Sequence, residues 1–306
     1  MRRGIVVGIV AAAAVVVAAG GIAWFFSTRP AGPDAAARQY LDALAAGDGA
    51  AALNIVEQPV TEREAVLAAF DGATALIERP SVGEVAQVGG AGDAATASVT
   101  FRLDGEERSA SLSLTHAPDG WRIAATSLGA VTATTSVGDS VSIGDATLAA
   151  DEPHALLPAQ YPVRPAPRDL LEGSASVVVL PIEPAAVDLT ASIAPAASDA
   201  AQAQLDAYLA SCTEPAPSVP ASCGIRIPWQ ADLTSAEEIS YRIEKAPTLT
   251  LSGETMTFEA TDGVLVATVR GMARSGGAGE FTYRTDSWAL YGTLDFTGGV
   301  MTLVVR

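Results

Sequence analysis

The spacing of apolar residues changes along the chain, and these changes predict where helices give way to strands. Four apolar positions recur three and four residues apart and predict an amphipathic helix that follows Asp34 and ends at Gly47: Ala37, Tyr40, Leu41 and Leu44. Two shorter helices are predicted at Ala50–Val56 and Glu62–Phe70. Alternation then predicts strands at Val82–Val88, Ala95–Leu103, Arg108–Thr115 and Trp121–Ser127. Helices followed by an antiparallel meander predict an α+β domain over residues 34–128.

Two further segments follow, and they differ in composition. Residues 129–195 are rich in Val, Thr, Ser and Pro and show no helical stripe, which predicts a small β domain. Within residues 196–306 we predict a helix capped by Ser198, followed by a series of strands. Asp262 and Gly263 predict a tight turn between two of these strands. This last segment is therefore expected to form a C-terminal α+β domain.

The N-terminal segment is interpreted as a transmembrane anchor over residues 1–28. Gly4–Phe26 carries no charge, and as a helix it would be about 34 Å long, enough to cross the hydrocarbon core of a bilayer. Arg2 and Arg3 precede this stretch and would hold the N-terminus in the cytoplasm, so the domains that follow would lie outside the plasma membrane. A cleaved signal peptide is the alternative, and it leads to the same side of the membrane.

The two cysteines agree with an extracytoplasmic location. Cys212 and Cys223 bracket a proline-rich segment over residues 213–222 that forms neither a helix nor a strand by itself. A disulfide that closes so short a loop persists in an oxidising compartment. A metal or redox pair is the alternative, but the spacing is not that of a CxxC motif and no histidine is nearby. We therefore predict a structural disulfide.

The net charge and the absence of common catalytic motifs exclude several classes of function. The chain has 18 basic and 35 acidic residues, a net charge of −17, which disfavours binding to the phosphate backbone of nucleic acids. The sequence contains no nucleophile elbow, no zinc-binding HExxH motif and no phosphate-binding Walker loop. Its two histidines, His116 and His154, are expected at the surface. We therefore predict a protein without catalytic residues, cofactor or metal.

Two stretches carry a family resemblance. AARQYLDALAAGDGAAAL over Ala36–Leu53, followed by a meander that ends in DGWRI over Asp119–Ile123, resembles membrane-anchored NTF2-like or cystatin-like domains of bacterial envelope proteins. The resemblance implies a cavity between helix and sheet, for which the candidate pocket residues are Tyr40, Asp71 and His116. A second NTF2-like unit is one expectation for the C-terminal domain, and a different α+β arrangement is the other.

A weaker resemblance concerns the middle segment. LLPAQYPVRP over Leu156–Pro165 resembles a hairpin of small envelope β domains, including those of TcaA-like proteins. It implies a role as a component of a cell-wall stress or antibiotic sensor.

The sequence features and the two resemblances together predict three alternative functions. The first is a non-catalytic single-pass membrane protein whose modules bind or scaffold an envelope protein or a cell-wall polymer. Large amphipathic side chains serve such contacts when they are exposed, and the candidates are Trp229, Trp288 and Tyr291. The second is a small-molecule receptor or enzyme that uses an NTF2-like cavity, and the third is the sensor component. The oligomeric state stays open.

Overall fold

The secondary structure is dominated by strands. A computed structural model describes residues 32–88 and 93–306, of which 52% lie in strands and 19% in helices. The predicted α+β class, with NTF2-like helix-and-sheet domains, is therefore wrong, because strands far outnumber helices although the predicted helices do form. The predicted anchor over residues 1–28 lies outside the described residues. Within the described ranges, no helix has the length and apolar character needed to cross a membrane.

The described residues form four α-helices: α1 Pro33–Ala45, α2 Gly49–Ile55, α3 Arg63–Asp71 and α4 Ala196–Cys212. The first nine strands are β1 Glu78–Val88, β2 Ala94–Leu103, β3 Glu106–Ala117, β4 Gly120–Ile123, β5 Gly129–Thr135, β6 Ser140–Ile143, β7 Ala146–Ala149, β8 Pro153–Leu156 and β9 Ala159–Pro165. The next nine are β10 Leu171–Glu172, β11 Ala175–Val179, β12 Pro184–Leu189, β13 Ser192–Ile193, β14 Leu233–Lys245, β15 Thr248–Ser252, β16 Thr257–Ala273, β17 Ala278–Thr297 and β18 Val300–Val305. Short 3-10 helices lie at Ala125–Ser127 and Trp229–Ala231.

The chain divides into two units, each built from separate segments. The first unit contains the described residues up to Val131 together with His154–Tyr161 and Val177–Ala185. The second unit contains Thr132–Pro153, Pro162–Ser176 and Ala186–Arg306. The middle of the sequence therefore contributes strands to both units.

The core of the first unit lies between α1 and a four-stranded antiparallel sheet in the order β1-β2-β3-β4. The predicted apolar stripe of α1 is buried, and so are alternate side chains of β2: Ala37, Tyr40, Leu41 and Leu44 from the helix, and Ala97, Val99, Phe101 and Leu103 from the strand. Helix α1 begins at Pro33, a residue well suited to the first helical position. Asp34 lies in the first turn, where its carboxylate favours the helix N-terminus.

The second unit contains a larger sheet with the order β14-β16-β17-β18, in which β15 also pairs with β16. Strands β16 and β17 are 17 and 20 residues long. The predicted turn at Asp262 and Gly263 is wrong, because both residues lie inside β16. The pairing with β17 shifts register on either side of Gly263, and Asp262 has a φ of 61°. An Asp-Gly pair accommodates the backbone of a bulge as well as that of a hairpin turn, so the dipeptide alone does not distinguish the two.

Helix α4 covers one face of this sheet and also reaches its edges. Its buried residues Ala201, Leu205 and Leu209 share a hydrophobic core with Trp288 and Leu290 of β17. Two glutamines on the helix bond the backbone of the flanking strands. The Gln202 amide accepts a hydrogen bond from the N–H of Leu249 at 2.9 Å, and the Gln204 amide pairs with Met301 O and the N–H of Leu303 at 2.9 and 3.1 Å. Backbone groups at the edges of β15 and β18 are thereby occupied, which protects these strands from pairing with another chain.

Candidate functional site

The three candidate pocket residues of the first unit differ in exposure, and none of them lines any of the cavities described below. Tyr40 is fully buried, whereas Asp71 and His116 are exposed. Burial raises the pKa of Tyr40, and its hydroxyl has no hydrogen-bond partner among the described residues. The His116 ring lies edge-on to Trp121, with ring centroids 5.2 Å apart. The buried apolar residues Leu41, Leu44 and Phe70 belong to the core of this unit, so we assign no ligand site to it.

The expectation that His154 lies at the surface is wrong. Its side chain is 6% exposed, and its Nδ1 lies 3.2 Å from Oε2 of Glu62. The two residues are 92 positions apart in the chain, so no local pattern indicates the contact. Glu62 itself has a φ of 53° at the start of α3. This contact joins His154 of β8 to the residue that precedes α3.

The three candidate binding aromatics differ in exposure. Trp288 is 1% exposed, and its indole N–H donates to the carbonyl oxygen of Cys223 at 2.8 Å. Trp229 is half-buried, and its carbonyl oxygen lies 3.5 Å from the hydroxyl of Tyr283. Tyr291 is 51% exposed. Only Tyr291 of the three therefore presents much of its ring to solvent.

The predicted disulfide is confirmed, and it shapes the chain next to Tyr291. Cys212 at the end of α4 and Cys223 are bonded, with their Cα atoms 5.7 Å apart. Beyond the bond the chain alternates: Cys223 and Ile225 are buried, whereas Ser222, Gly224 and Arg226 are exposed. We call Ser222–Arg226 the crossing segment.

A cavity of about 330 Å³ lies between the crossing segment, β17 and the end of β18. Its polar lining consists of Ser222, Arg226, Thr285, Ser287, Tyr291 and Arg306. Along β17, Ser287, Ala289 and Tyr291 alternate with the buried Trp288 and Leu290, and Thr285 lies beyond the register shift next to Gly263. The backbone N–H of Arg306 donates to the carbonyl oxygen of Tyr291 at 3.0 Å, which places these two residues side by side. We call this cavity the arginine pocket.

The crossing segment approaches β17 very closely. Gly224 has a φ of +64°, and a Cβ atom there would lie 2.2 Å from the carbonyl oxygen of Ala289. Ser222, which does have a side chain, also has a positive φ of 63°, and its carbonyl oxygen accepts a hydrogen bond from the Tyr208 hydroxyl at 3.0 Å. Strained backbone of this kind persists only where the surrounding structure holds it, and it concentrates at ligand sites.

The charges of the arginine pocket are uncompensated. Neither Arg226 nor Arg306 forms an ion pair with any residue in the part of the chain that the structure describes. The arginines on the strands of the same sheet are paired with carboxylates: Arg242 with Glu244, Arg270 with Glu238 and Glu280, and Arg284 with Glu244 and Asp286. The two guanidinium groups that line this cavity thus differ from their neighbours in forming no ion pair with a described residue.

Two other cavities lack this feature. A groove of about 500 Å³ on the first unit is lined by hydroxyl groups of β2 and β3 and by Ile182 and Glu183, and no arginine lines it. A more open cavity of about 430 Å³ on the second unit is lined by Glu237, Glu238 and Arg270, and this arginine is already paired. Among the three, the arginine pocket alone combines unpaired cations with an exposed aromatic ring.

Sequence reasoning selected Tyr291 but not Arg226 or Arg306. The two arginines come from the crossing segment and from the residue after β18, and only the fold brings them together. The alternation of apolar and polar residues over Ser222–Arg226 was the available signal, since it indicates an extended segment with one face toward solvent. Comparison with protein-family models, with curated proteins and with solved structures finds no match to this chain.

Proposed function

We propose that this protein is a non-catalytic binding protein of the cell envelope, and that the arginine pocket is its recognition site. The observation that carries the proposal is that an exposed tyrosine ring and two arginines without an ion-pair partner among the described residues line the same cavity. The lining side chains are hydroxyl and guanidinium groups, which donate hydrogen bonds and hold a ligand. No histidine or carboxylate, the usual general bases, is among the lining residues. Binding therefore suits this lining better than proton transfer.

Two features support a location outside the cytoplasm. The uncharged stretch Gly4–Phe26 is long enough to hold the chain at the plasma membrane, and the disulfide between Cys212 and Cys223 is of the kind that persists in an oxidising compartment. In that location the pocket meets envelope proteins and cell-wall polymers, which are the partners we propose.

Site-specific photo-crosslinking in intact cells tests the binding proposal. A photoreactive amino acid replaces Tyr291 in the full-length protein, and the matched control carries it at Val300. Val300 is 61% exposed and pairs with Thr297, about 20 Å along β17 from Tyr291. We expect one discrete envelope component to be captured from position 291 and not from position 300. Equal capture from both positions, or none from position 291, would contradict the proposal.

Thiol labelling tests the location. Both native cysteines are in the disulfide, so a Thr302→Cys variant has a single free thiol at an exposed position of β18. We expect a membrane-impermeant maleimide to label this variant on intact cells. Labelling that requires cell lysis would place the domains inside the cytoplasm. The wild-type protein, with no free thiol, is the control for background labelling.

A further inference from the structure

We infer that the arginine pocket binds the oxyanion of a small ligand, the chemistry that carboxylates and phosphates share. This inference rests on the proposed function and specifies its ligand. Arg226 and Arg306 line the same cavity of about 330 Å³, and neither has a carboxylate partner among the described residues. A planar guanidinium group presents a fork of N–H donors that matches two oxygens of a carboxylate or phosphate. Two such groups in one cavity therefore define an anion site.

The surrounding groups are donors as well. The hydroxyl groups of Ser222, Thr285 and Ser287 line the same cavity and can each donate a hydrogen bond to an oxygen of the ligand. The indole N–H of Trp288 donates to Cys223 O and the Tyr208 hydroxyl donates to Ser222 O, and these bonds hold the crossing segment against β17. The donors of the loop and those of the strand are thus held in place before a ligand arrives, which lowers the entropy lost on binding.

Acidic groups also lie on the strands next to the arginine pocket. Glu259 of β16 is directly opposite Tyr291 in the strand register, and its exposed carboxylate therefore shares a face with the tyrosine ring. Asp286 is engaged by Arg284 at 2.9 Å. The Glu259 carboxylate disfavours an anion beside it, so the oxyanion depends on contact with Arg226 and Arg306.

The size of the cavity limits the size of the ligand, and the net charge of the protein limits how the ligand is attracted. A volume of about 330 Å³ lies at the small end of ligand pockets, so the ligand is a small molecule or one terminal group of a larger one. The net charge of −17 repels anions at long range, but such repulsion is screened beyond about 8 Å at physiological ionic strength. Binding therefore depends on contact with the two arginines, and a neutral analogue of the anion lacks that interaction.

Chemical protection of the arginines tests the inference on the full-length protein in detergent. Phenylglyoxal modifies accessible guanidinium groups, and mass spectrometry of the digested protein follows each arginine separately. The probes are inorganic phosphate and sodium acetate, with acetamide as the neutral counterpart of acetate and with ionic strength held constant by NaCl. Arg164 is an exposed arginine of β9 with no carboxylate partner among the described residues, so it serves as the internal control.

We expect phosphate or acetate to slow the modification of Arg226 and Arg306 in a saturable manner, while Arg164 reacts at an unchanged rate. The anion that protects at the lower concentration identifies the preferred oxyanion. Arg226→Gln should raise the concentration needed to protect Arg306 by about tenfold, the effect of removing one charge-assisted hydrogen-bonding group, and Arg164→Gln should leave it unchanged. Equal protection of Arg164, or equal protection by acetamide and acetate, would overturn the inference.

The two experiments fail independently. Discrete capture from position 291 without protection by either anion would leave the binding proposal standing and remove the oxyanion from it. Protection without capture would keep the anion site and overturn the proposed envelope partner.

Discussion

Helix α1 of the first unit and helix α4 of the second each lie on an antiparallel sheet, but the chain that follows them differs. Helix α1 ends at Ala45 and the chain continues into α2, so helices follow one another over the same core. Helix α4 ends at Cys212, and the disulfide redirects the chain into the crossing segment over β17. The tyrosine of α1, Tyr40, is fully buried, whereas Tyr291 of β17 is half-exposed and lines a cavity with two arginines that form no ion pair within the described ranges.

The difference shows that a helix on a sheet does not by itself make a ligand site. In both units the helix buries an apolar stripe, and the site of the second unit arises from the irregular chain that follows the helix. In helices and sheets the backbone groups are hydrogen-bonded to one another, and most apolar side chains pack in the core. An irregular segment that a disulfide fixes at one end can instead leave hydroxyl and guanidinium groups facing a cavity.

Removal of the disulfide has the largest expected effect. Replacing Cys212→Ser together with Cys223→Ser should lower the free energy of unfolding of the second unit by about 2 to 3 kcal/mol, because the bond closes a short loop and both sulfurs are buried. Hydrogen exchange followed by mass spectrometry should show faster exchange in peptides of α4 and β17. Peptides of α1 and β2 are the control and should not change. Equal acceleration in both units would contradict the distinction between them.

The next effect tests how closely the crossing segment approaches β17. Gly224→Ala should destabilise the protein by about 2 kcal/mol or more, because a Cβ would lie 2.2 Å from Ala289 O and φ is +64°. Gly276→Ala is the matched control: its φ is +91°, yet nothing lies within 4 Å of the added Cβ, so only the backbone strain of about 1 kcal/mol is expected. Urea denaturation measures both. Equal losses would mean that the contact with Ala289 contributes nothing.

Core positions were predictable from the sequence where periodicity is local. The stripe that includes Tyr40 and Leu44 and the alternation through Phe101 each arise within one element, and both are buried as expected. The disulfide was predictable because a proline-rich loop and two cysteines leave few other interpretations. The bulge at Gly263 was not, since the same dipeptide also suits a turn.

The candidate site was predictable only in part. An aromatic residue in an alternating strand is usually buried, and Trp288 follows that rule while Tyr291, three residues later, does not. Their opposite orientation follows from alternation along β17, but which face is covered depends on α4 and on the crossing segment. Arg226, which lines the same cavity as Tyr291, is far from it in the sequence, and Arg306 follows a different strand. Local sequence patterns do not predict such contacts between separate elements.

The smallest effects compare two buried tyrosines of the first unit. The Tyr161 hydroxyl donates to the carbonyl oxygen of Leu157 at 2.6 Å, so Tyr161→Phe leaves a buried acceptor without its donor and should lower the free energy of unfolding by about 1 kcal/mol. Urea denaturation midpoints at constant m-value measure the change. A Tyr161→Phe variant as stable as the wild type would show that this hydrogen bond adds nothing to the stability of the first unit.

Tyr40→Phe should behave in the opposite way. The Tyr40 hydroxyl is fully buried and has no hydrogen-bond partner among the described residues, so its removal relieves a desolvated polar group and should leave stability within about 0.5 kcal/mol of the wild type or raise it. The same denaturation assay, with Tyr161→Phe as the matched control, measures the difference. A loss above about 1 kcal/mol would mean that the hydroxyl bonds a bound water or ligand. The first unit would then contain a polar cavity behind α1, and its interior would no longer contrast with the open pocket of the second unit.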